Sequence, residues 1–336
     1  MQLFFYRFVP IAILALKLYN IFMKKIIILD GACVKQKDLS FDFFAKAGDV
    51  KYYDRTSNEE TILRINSHKA EIVITNKVPI DKNIMDSCPT IKFITVLATG
   101  YNIIDCEYAR KKGIKVANAP DYSSDSVAQH TMALILEFAS SVSEHNLAVK
   151  NGEWEKNMDF CFCKKNIFEL TGKTLGIIGY GSIGKKVTII ARAFGMNVIY
   201  CKNTPDTFSK NLEYVLSESD IISLHCPLNA STEKIINKTA IEKMKRGIYI
   251  INTARGGLVD ENAIAEGLDN GIIAGYAADV LYSEPPKTGN ILIDNPKSII
   301  TPHVAWATFE ARKRLIDITY NNIQAYIADK PINIVN

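Results

Sequence analysis

The chain has no basic run longer than two or three residues, although it carries 40 lysines and arginines against 36 acids, a formal net charge of +4. Charge so dispersed excludes a nucleic-acid-binding arm, while a mildly basic protein suits an anionic substrate. Low-complexity tracts and short-period repeats are missing too. Hydrophobic residues at 48% and charged residues at 23% are those of an ordinary globular protein. No apolar run reaches the roughly 20 residues of a membrane-spanning helix. The strongest is N-terminal, where Phe8–Leu16 runs between Arg7 and Lys17 and contains Pro10. No convincing small-residue cleavage site follows before Lys25, so a secretory signal does not fit, and membrane association is not expected. Residues 1–22 are expected to lie outside the fold, because Met23-Lys24-Lys25-Ile26-Ile27-Ile28-Leu29-Asp30 reads as a natural start running into a first strand.

Metal chemistry has little to stand on. The seven cysteines are Cys33, Cys88, Cys106, Cys161, Cys163, Cys201 and Cys226, an odd number in which Cys161-x-Cys163 is the one close pair. No second pair or histidine cluster completes a zinc site, so no metal is expected. Reduced core thiols in a cytoplasmic protein are the simpler reading.

With 336 residues the chain has room for two cores. After Met23, short apolar strands alternate with helical stretches, the pattern of parallel α/β sheets. Strands are expected at Ile26–Leu29, Ile72–Thr75, Phe93–Leu97 and Lys115–Ala117, with helices at Leu39–Ala47 and Asn58–Asn66. The polar link Asn118–Asp125 then feeds one long helix over Ser126–Lys150, capped by Ser124 or Asp125. Its apolar stripe of Ala128, Met132, Leu136 and Ala139 is widened by Ile135, Phe138 and Val142, enough for a partner subunit as well as its own domain. A second series follows, with strands at Leu175–Ile178, Val198–Cys201, Ile221–Leu224, Gly247–Asn252, Ile273–Ala277 and Ser298–Ile300. The final helix, Phe309–Ala328, is expected to return and complete the first half.

Thr174–Gly184 is the most informative segment. An apolar strand ends at Gly179, and Gly179-x-Gly181-x-x-Gly184 opens a helix over Lys185–Phe194. Such a loop, here Gly179, Tyr180, Gly181, Ser182, Ile183 and Gly184, holds a dinucleotide: the first glycine makes the turn, the second admits the pyrophosphate and the third lets helix meet strand. The free N–H groups and positive end of the helix bind the phosphates. The other half of this fingerprint, an acid about 20 residues on for the ribose 2′-OH, is missing. Val198-Ile199-Tyr200-Cys201-Lys202-Asn203-Thr204 carries no acid before Asp206. Lys202 suits a 2′-phosphate, which tilts the choice between NAD(H) and NADP(H) slightly toward NADP(H). The other reading is a solvated lysine beside an NAD(H) site that manages without the acid.

Three polar residues follow buried strands or close turns at the C-terminal edge of the second series: Arg255 after Ile250–Ala254, Glu284 after Asp279–Ser283, and His303 after Ile299–Pro302. Reducing a 2-oxo acid needs a cation for the carboxylate and carbonyl oxygen, which the planar fork of Arg255 provides. It also needs a proton donor, which His303 provides near its ordinary pKa. Glu284 on the other imidazole nitrogen would fix the tautomer.

Together these segments resemble the D-isomer-specific 2-hydroxyacid dehydrogenase family over nearly all of residues 24–336. The resemblance rests on Leu97–Asp105, Ser126-Val-Ala-Gln-His130, the Gly179–Gly184 loop, Leu224-His-Cys-Pro-Leu228, Asn252–Gly257, Glu284-Pro285-Pro286 and Thr301-Pro-His-Val-Ala-Trp306. It implies two Rossmann-like or flavodoxin-like α/β domains with parallel sheets and a cleft between them. Residues 23–119 with 304–336 would form the substrate domain, and 120–303 the dinucleotide-binding domain. It implies His303 as acid/base, Glu284 as its partner and Arg255 as substrate-binding arginine, with backbone N–H groups of Ala98, Thr99 and Gly100 on the substrate carboxylate. Pro227, Thr253, Ala254 and Asp279 would line the nicotinamide and ribose, with Cys226 and Thr232 also in the cofactor site. It implies a homodimer held by the long helix, acting on a small 2-oxo or 2-hydroxy acid. Ala98–Asn102 and Pro302–Trp306 look most like the glycerate dehydrogenase/hydroxypyruvate reductase branch. The alternative is a corepressor-like protein that senses NAD(H) without turnover. Formate dehydrogenases of this fold carry glutamine where this chain has Glu284, which argues against that activity.

Overall fold

The computed structural model describes residues 23–202, 208–287 and 289–336. The expected extension at 1–22, and Asn203, Thr204 and Asp206 beyond the expected strand Val198–Cys201, lie outside the described residues. The chain divides into two compact units, one reaching Tyr122 and resuming over Phe309–Asn336, the other spanning Ser123–Thr308. The second boundary falls later than 303/304 because Asp279 of the second unit holds the N–H groups of Val304 and Ala305.

The first unit runs β1 (Lys25–Ile28), α1 (Ala32–Lys35), a 3-10 turn (Asp42–Lys46), β2 (Asp49–Tyr52), α2 (Asn58–His68), β3 (Ile72–Thr75), α3 (Lys82–Ser87), β4 (Phe93–Val96), α4 (Cys106–Lys111) and β5 (Lys115–Ala117). Its strands are parallel, in the order β2-β1-β3-β4-β5. β1, β3 and β4 are buried on both faces, which is why they read as unbroken apolar runs.

The second unit opens with α5 (Ser124–Ser140) and α6 (Val142–Lys150). It continues through β6 (Thr174–Ile178), α7 (Ser182–Ala193), β7 (Asn197–Cys201), α8 (Phe208–Glu218), β8 (Ile221–Leu224), α9 (Lys238–Glu242), β9 (Ile248–Asn252), α10 (Glu261–Asp269), β10 (Ile273–Ala278) and β11 (Ser298–Ile300). Among the described residues these strands form one parallel sheet, β11-β10-β9-β8-β6-β7. The order reverses between β6 and β8, and in open parallel sheets ligands bind at such a reversal, beyond the C-terminal strand ends. The last helix, α11 (Phe309–Ile327), belongs to the first unit, as expected. Two parallel α/β sheets are therefore present.

Three expectations need correction. The helix expected over Ser126–Lys150 is two helices, broken at Ser141, which adopts a left-handed φ of 46°. Its N-cap is Ser123, whose side chain makes no capping bond, rather than Ser124 or Asp125. Leu39–Ala47 is no α-helix: Phe41 and Phe44, three apart and both buried, suit the 3-10 period of Asp42–Lys46.

Candidate active site

Gly179 ends β6 at φ +103°, and a Cβ there would lie 2.4 Å from Cys226 N and 2.5 Å from His225 C. Two constraints therefore require glycine: the left-handed backbone and the close approach of the segment after β8. Gly184 is equally confined, since a Cβ would lie 2.4 Å from Gly179 O. Gly181 differs. It caps α7 without a side-chain bond, and a Cβ there would meet nothing within 4 Å. What a side chain at 181 would fill is the space in front of the α7 N–H groups, so the loop fits a pyrophosphate. Tyr180 stacks on Tyr200 with centroids 3.8 Å apart and planes at 11°. Lys202 follows directly on β7, exposed. Cys201 O accepts from Gly179 N at 2.9 Å, which brings the end of β7 to the glycine loop.

The floor beside that loop is uncharged. Burial lowers His225 to about 3 and pushes the Cys226 thiol up to about 11. Pro227 follows, its carbonyl accepting from Thr232 Oγ1 at 2.6 Å. Thr232 is fully buried and its Oγ1 also accepts from Asn229 N at 2.9 Å, so it braces this turn.

The arginine turn is folded by Asn252, which the sequence reading had not singled out. Buried at the end of β9, it accepts from Ala254 N (3.1 Å) and donates to Arg255 O (2.9 Å). The Arg255 side chain is exposed and donates to Ala254 O at 2.6 Å. Gly256 brings this turn against the next one, since a Cβ there would lie 2.0 Å from Leu281 C. Glu284 stands in that second turn and accepts from Leu281 N through Oε1 at 2.9 Å. Its Oε2 lies 2.5 Å from His303 Nδ1. A carboxylate only accepts, so Nδ1 carries the hydrogen and Nε2 is the nitrogen left to face a substrate.

His303 itself adopts φ 55°. Its turn is held by the buried Asp279, which accepts from Thr301 Oγ1 (2.6 Å), Val304 N (2.8 Å) and Ala305 N (2.8 Å). Trp306 Nε1 donates to His303 O at 2.9 Å. With both oxygens so engaged, the Asp279 side chain fixes the histidine turn, a task beyond the cofactor-lining role expected of it. Thr253, also buried, is paired with Thr131.

In the first unit, Ala98, Thr99 and Gly100 follow β4. The Leu97, Ala98 and Thr99 carbonyls accept from Asn76 Nδ2 (2.6 Å), Ala119 N (3.0 Å) and Asn118 Nδ2 (2.8 Å). Among the described residues nothing accepts from the N–H groups of Ala98, Thr99 or Gly100.

The model of the D-isomer specific 2-hydroxyacid dehydrogenase NAD-binding domain matches residues 132–305. A hydroxypyruvate reductase of Blautia hydrogenotrophica is 44% identical over 322 residues, covering 93% of this chain and 99% of that protein. The chain belongs to the D-isomer-specific 2-hydroxyacid dehydrogenase family. A glycerate dehydrogenase of Methylorubrum extorquens is 39% identical, again over 93% of this chain and 99% of that protein. Among solved structures, an acyclic imino acid reductase in complex with NADPH and D-Arg superposes with a TM-score of 0.80 at 30% identity, covering 93% of this chain and 100% of that one. As a member of this family the chain is a nicotinamide-dependent oxidoreductase acting on a CH–OH group. Among the described residues no helix is long and apolar enough to cross a membrane.

Proposed function

We propose that the chain reduces hydroxypyruvate to D-glycerate and glyoxylate to glycolate, as in the glycerate dehydrogenase/hydroxypyruvate reductase branch of its family. The observation that carries this is the 2.5 Å pair of His303 Nδ1 and Glu284 Oε2, one turn away from Arg255. When bound, the nicotinamide supplies the hydride. His303 Nε2 gives the substrate oxygen its proton, Glu284 holds the imidazolium formed on re-protonation, and Arg255 neutralises the carboxylate and polarises the carbonyl. The names of the relatives at 44% and 39% identity support this substrate class.

The glycine loop binds the pyrophosphate, and Cys226, Pro227, Thr253 and Ala254 border the nicotinamide half. Lys202, standing where an NAD(H) site has its acid, meets the 2′-phosphate of NADP(H). Trp154, Met158, Phe160 and Ile167, all exposed beyond α6, support a homodimer in which a second copy covers them. The seven free thiols suit a reducing, cytoplasmic setting.

The test is a screen of hydroxypyruvate, glyoxylate, pyruvate and bulkier 2-oxo acids against NADH and NADPH. The two small substrates with NADPH should give the highest kcat/KM, and Lys202→Asp should lower the preference for NADPH at least about tenfold, or about 1.4 kcal/mol. Preference for NADH in the wild type would defeat the role of Lys202. Tight cofactor binding without turnover of any 2-oxo acid would instead favour a nicotinamide sensor.

A further inference from the structure

We propose that His130 and Thr131, neighbours on α5, are positioning residues that hold the arginine turn and the histidine turn in register. The inference rests on the reading that Arg255 and His303 act on the substrate. Each tether grips a threonine two residues ahead of one of these side chains: Thr131 grips Thr253, ahead of Arg255, and His130 grips Thr301, ahead of His303.

The direction of every proton in the network follows from counting. Thr131 Oγ1 donates to Val127 O at 2.8 Å, and a hydroxyl has one proton, so in its 2.9 Å contact with Thr253 the donor is Thr253. Thr301 spends its proton on Asp279 Oδ1 at 2.6 Å, so in the 3.0 Å contact with His130 the donor is His130 Nε2–H. The second chain therefore runs from His130 through Thr301 to the Asp279 carboxylate, which also holds the N–H groups of Val304 and Ala305 on the far side of His303. His130 Nε2 is itself 3.7 Å from Asp279 Oδ1.

Such a clamp answers a need of the sheet. Thr253 follows β9 and Thr301 follows β11, and these strands are not neighbours, since β10 separates them. Ladder hydrogen bonds fix their relation only through an intermediate strand, and not at all beyond the strand ends. Two consecutive residues of one helix fix it directly. An error of about 1 Å in placing catalytic groups can cost about 100-fold in rate, so a link of this kind should register in kcat rather than in cofactor affinity.

The test compares Thr131→Val, Thr131→Ser, His130→Leu and His130→Gln in the full chain, with Thr319→Val as control. Thr319 is a buried helical threonine that donates to Leu315 O at 2.8 Å, so its replacement loses the same kind of helix bond without a link to either turn. Thr131→Val and His130→Leu should each lower kcat at least about tenfold and raise the isotope effect from deuterated reduced cofactor, with KM for the cofactor within about twofold of wild type. Thr131→Ser keeps the hydroxyl, and His130→Gln sets an amide N–H near the place of Nε2, so both should recover most of the rate. Thr319→Val should match wild type. Unchanged kcat in both Thr131→Val and His130→Leu, failure of the conservative pair to recover, or an equal loss in Thr319→Val would overturn the proposal. His130 is partly exposed, so its pair of variants decides the matter if Thr131→Val folds poorly. Wild-type protein that turns over no 2-oxo acid would overturn the functional reading itself, a different result from an active wild type whose variants are equally active.

Discussion

His303 occupies the left-handed region at φ 55°, a conformation that costs a non-glycine residue about 1 kcal/mol or more. It persists because Asp279 takes the next two N–H groups and Trp306 takes the histidine carbonyl. Asparagine tolerates this region better than most residues, so His303→Asn removes the acid/base while sparing the turn. We expect kcat to fall about 10²–10⁴-fold with the melting temperature unchanged. Near-normal turnover in steady-state assays would remove His303 from its role. Arg255→Lys keeps the charge but loses the two-pronged geometry, so kcat/KM for the oxo acid should fall at least about tenfold, a loss of about 1.4 kcal/mol. An unchanged value would make Arg255 a bystander. Both residues were legible in the sequence because each stands at the end of an apolar run. Asn252 and Thr301 stand in equivalent places but were passed over, since their work depends on Arg255 O and Asp279, partners that no spacing announces.

The glycine loop separates the demands of folding from those of binding. A Cβ at 179 would collide with Cys226 N and sit at φ +103°, so Gly179→Ala should destabilise the second unit and lose dinucleotide binding together. A Cβ at 181 meets no atom of the chain within 4 Å, so Gly181→Ala should melt like wild type yet bind reduced cofactor at least about tenfold more weakly, or about 1.4 kcal/mol. Thermal melts and fluorescence titrations read the two effects apart, and a lowered melting temperature in Gly181→Ala would contradict the assignment. The loop was readable because its glycines answer to backbone geometry, which sequence encodes directly. β2 (Asp49–Tyr52) was not read at all. It is an edge strand paired only with β1, with no fully buried residue, so it lacks the apolar run that marked its neighbours. The break at Ser141 was hidden for the opposite reason: the apolar stripe continues through Val142, and serine carries no signature of a left-handed turn.

The first unit is made from two distant pieces of chain, and the return of α11 decides whether it closes. Phe93 stacks on Tyr326 at 4.4 Å, Asn322 Nδ2 donates to Asn118 O at 2.8 Å, and Val335 N donates to Val116 O at 2.9 Å. Arg312, only 3% exposed, donates from both guanidinium ends to Asp38 at 2.7 Å each and to Val34 O at 3.1 Å. Asp38 and Arg312 lie too far apart in the chain for any local pattern to join them. Arg312→Met should lower the unfolding temperature of the first unit by several degrees, while the second unit, with its own core, retains dinucleotide binding. The pH dependence separates the ion pair from the rest of that loss. The hydrogen bonds from Arg312 hold the Asp38 carboxyl below the usual carboxylate range. A carboxyl depressed in the folded state contributes stability that is present above its unfolded pKa, about 3.9, and lost as pH falls through the lower folded value. The stability gap between wild type and Arg312→Met should therefore hold steady from pH 7 to about 5 and narrow below about 4. A gap that ignores pH in denaturant titrations would assign the whole effect to the Val34 carbonyl and the packing of the Arg312 stem, and none to the pair.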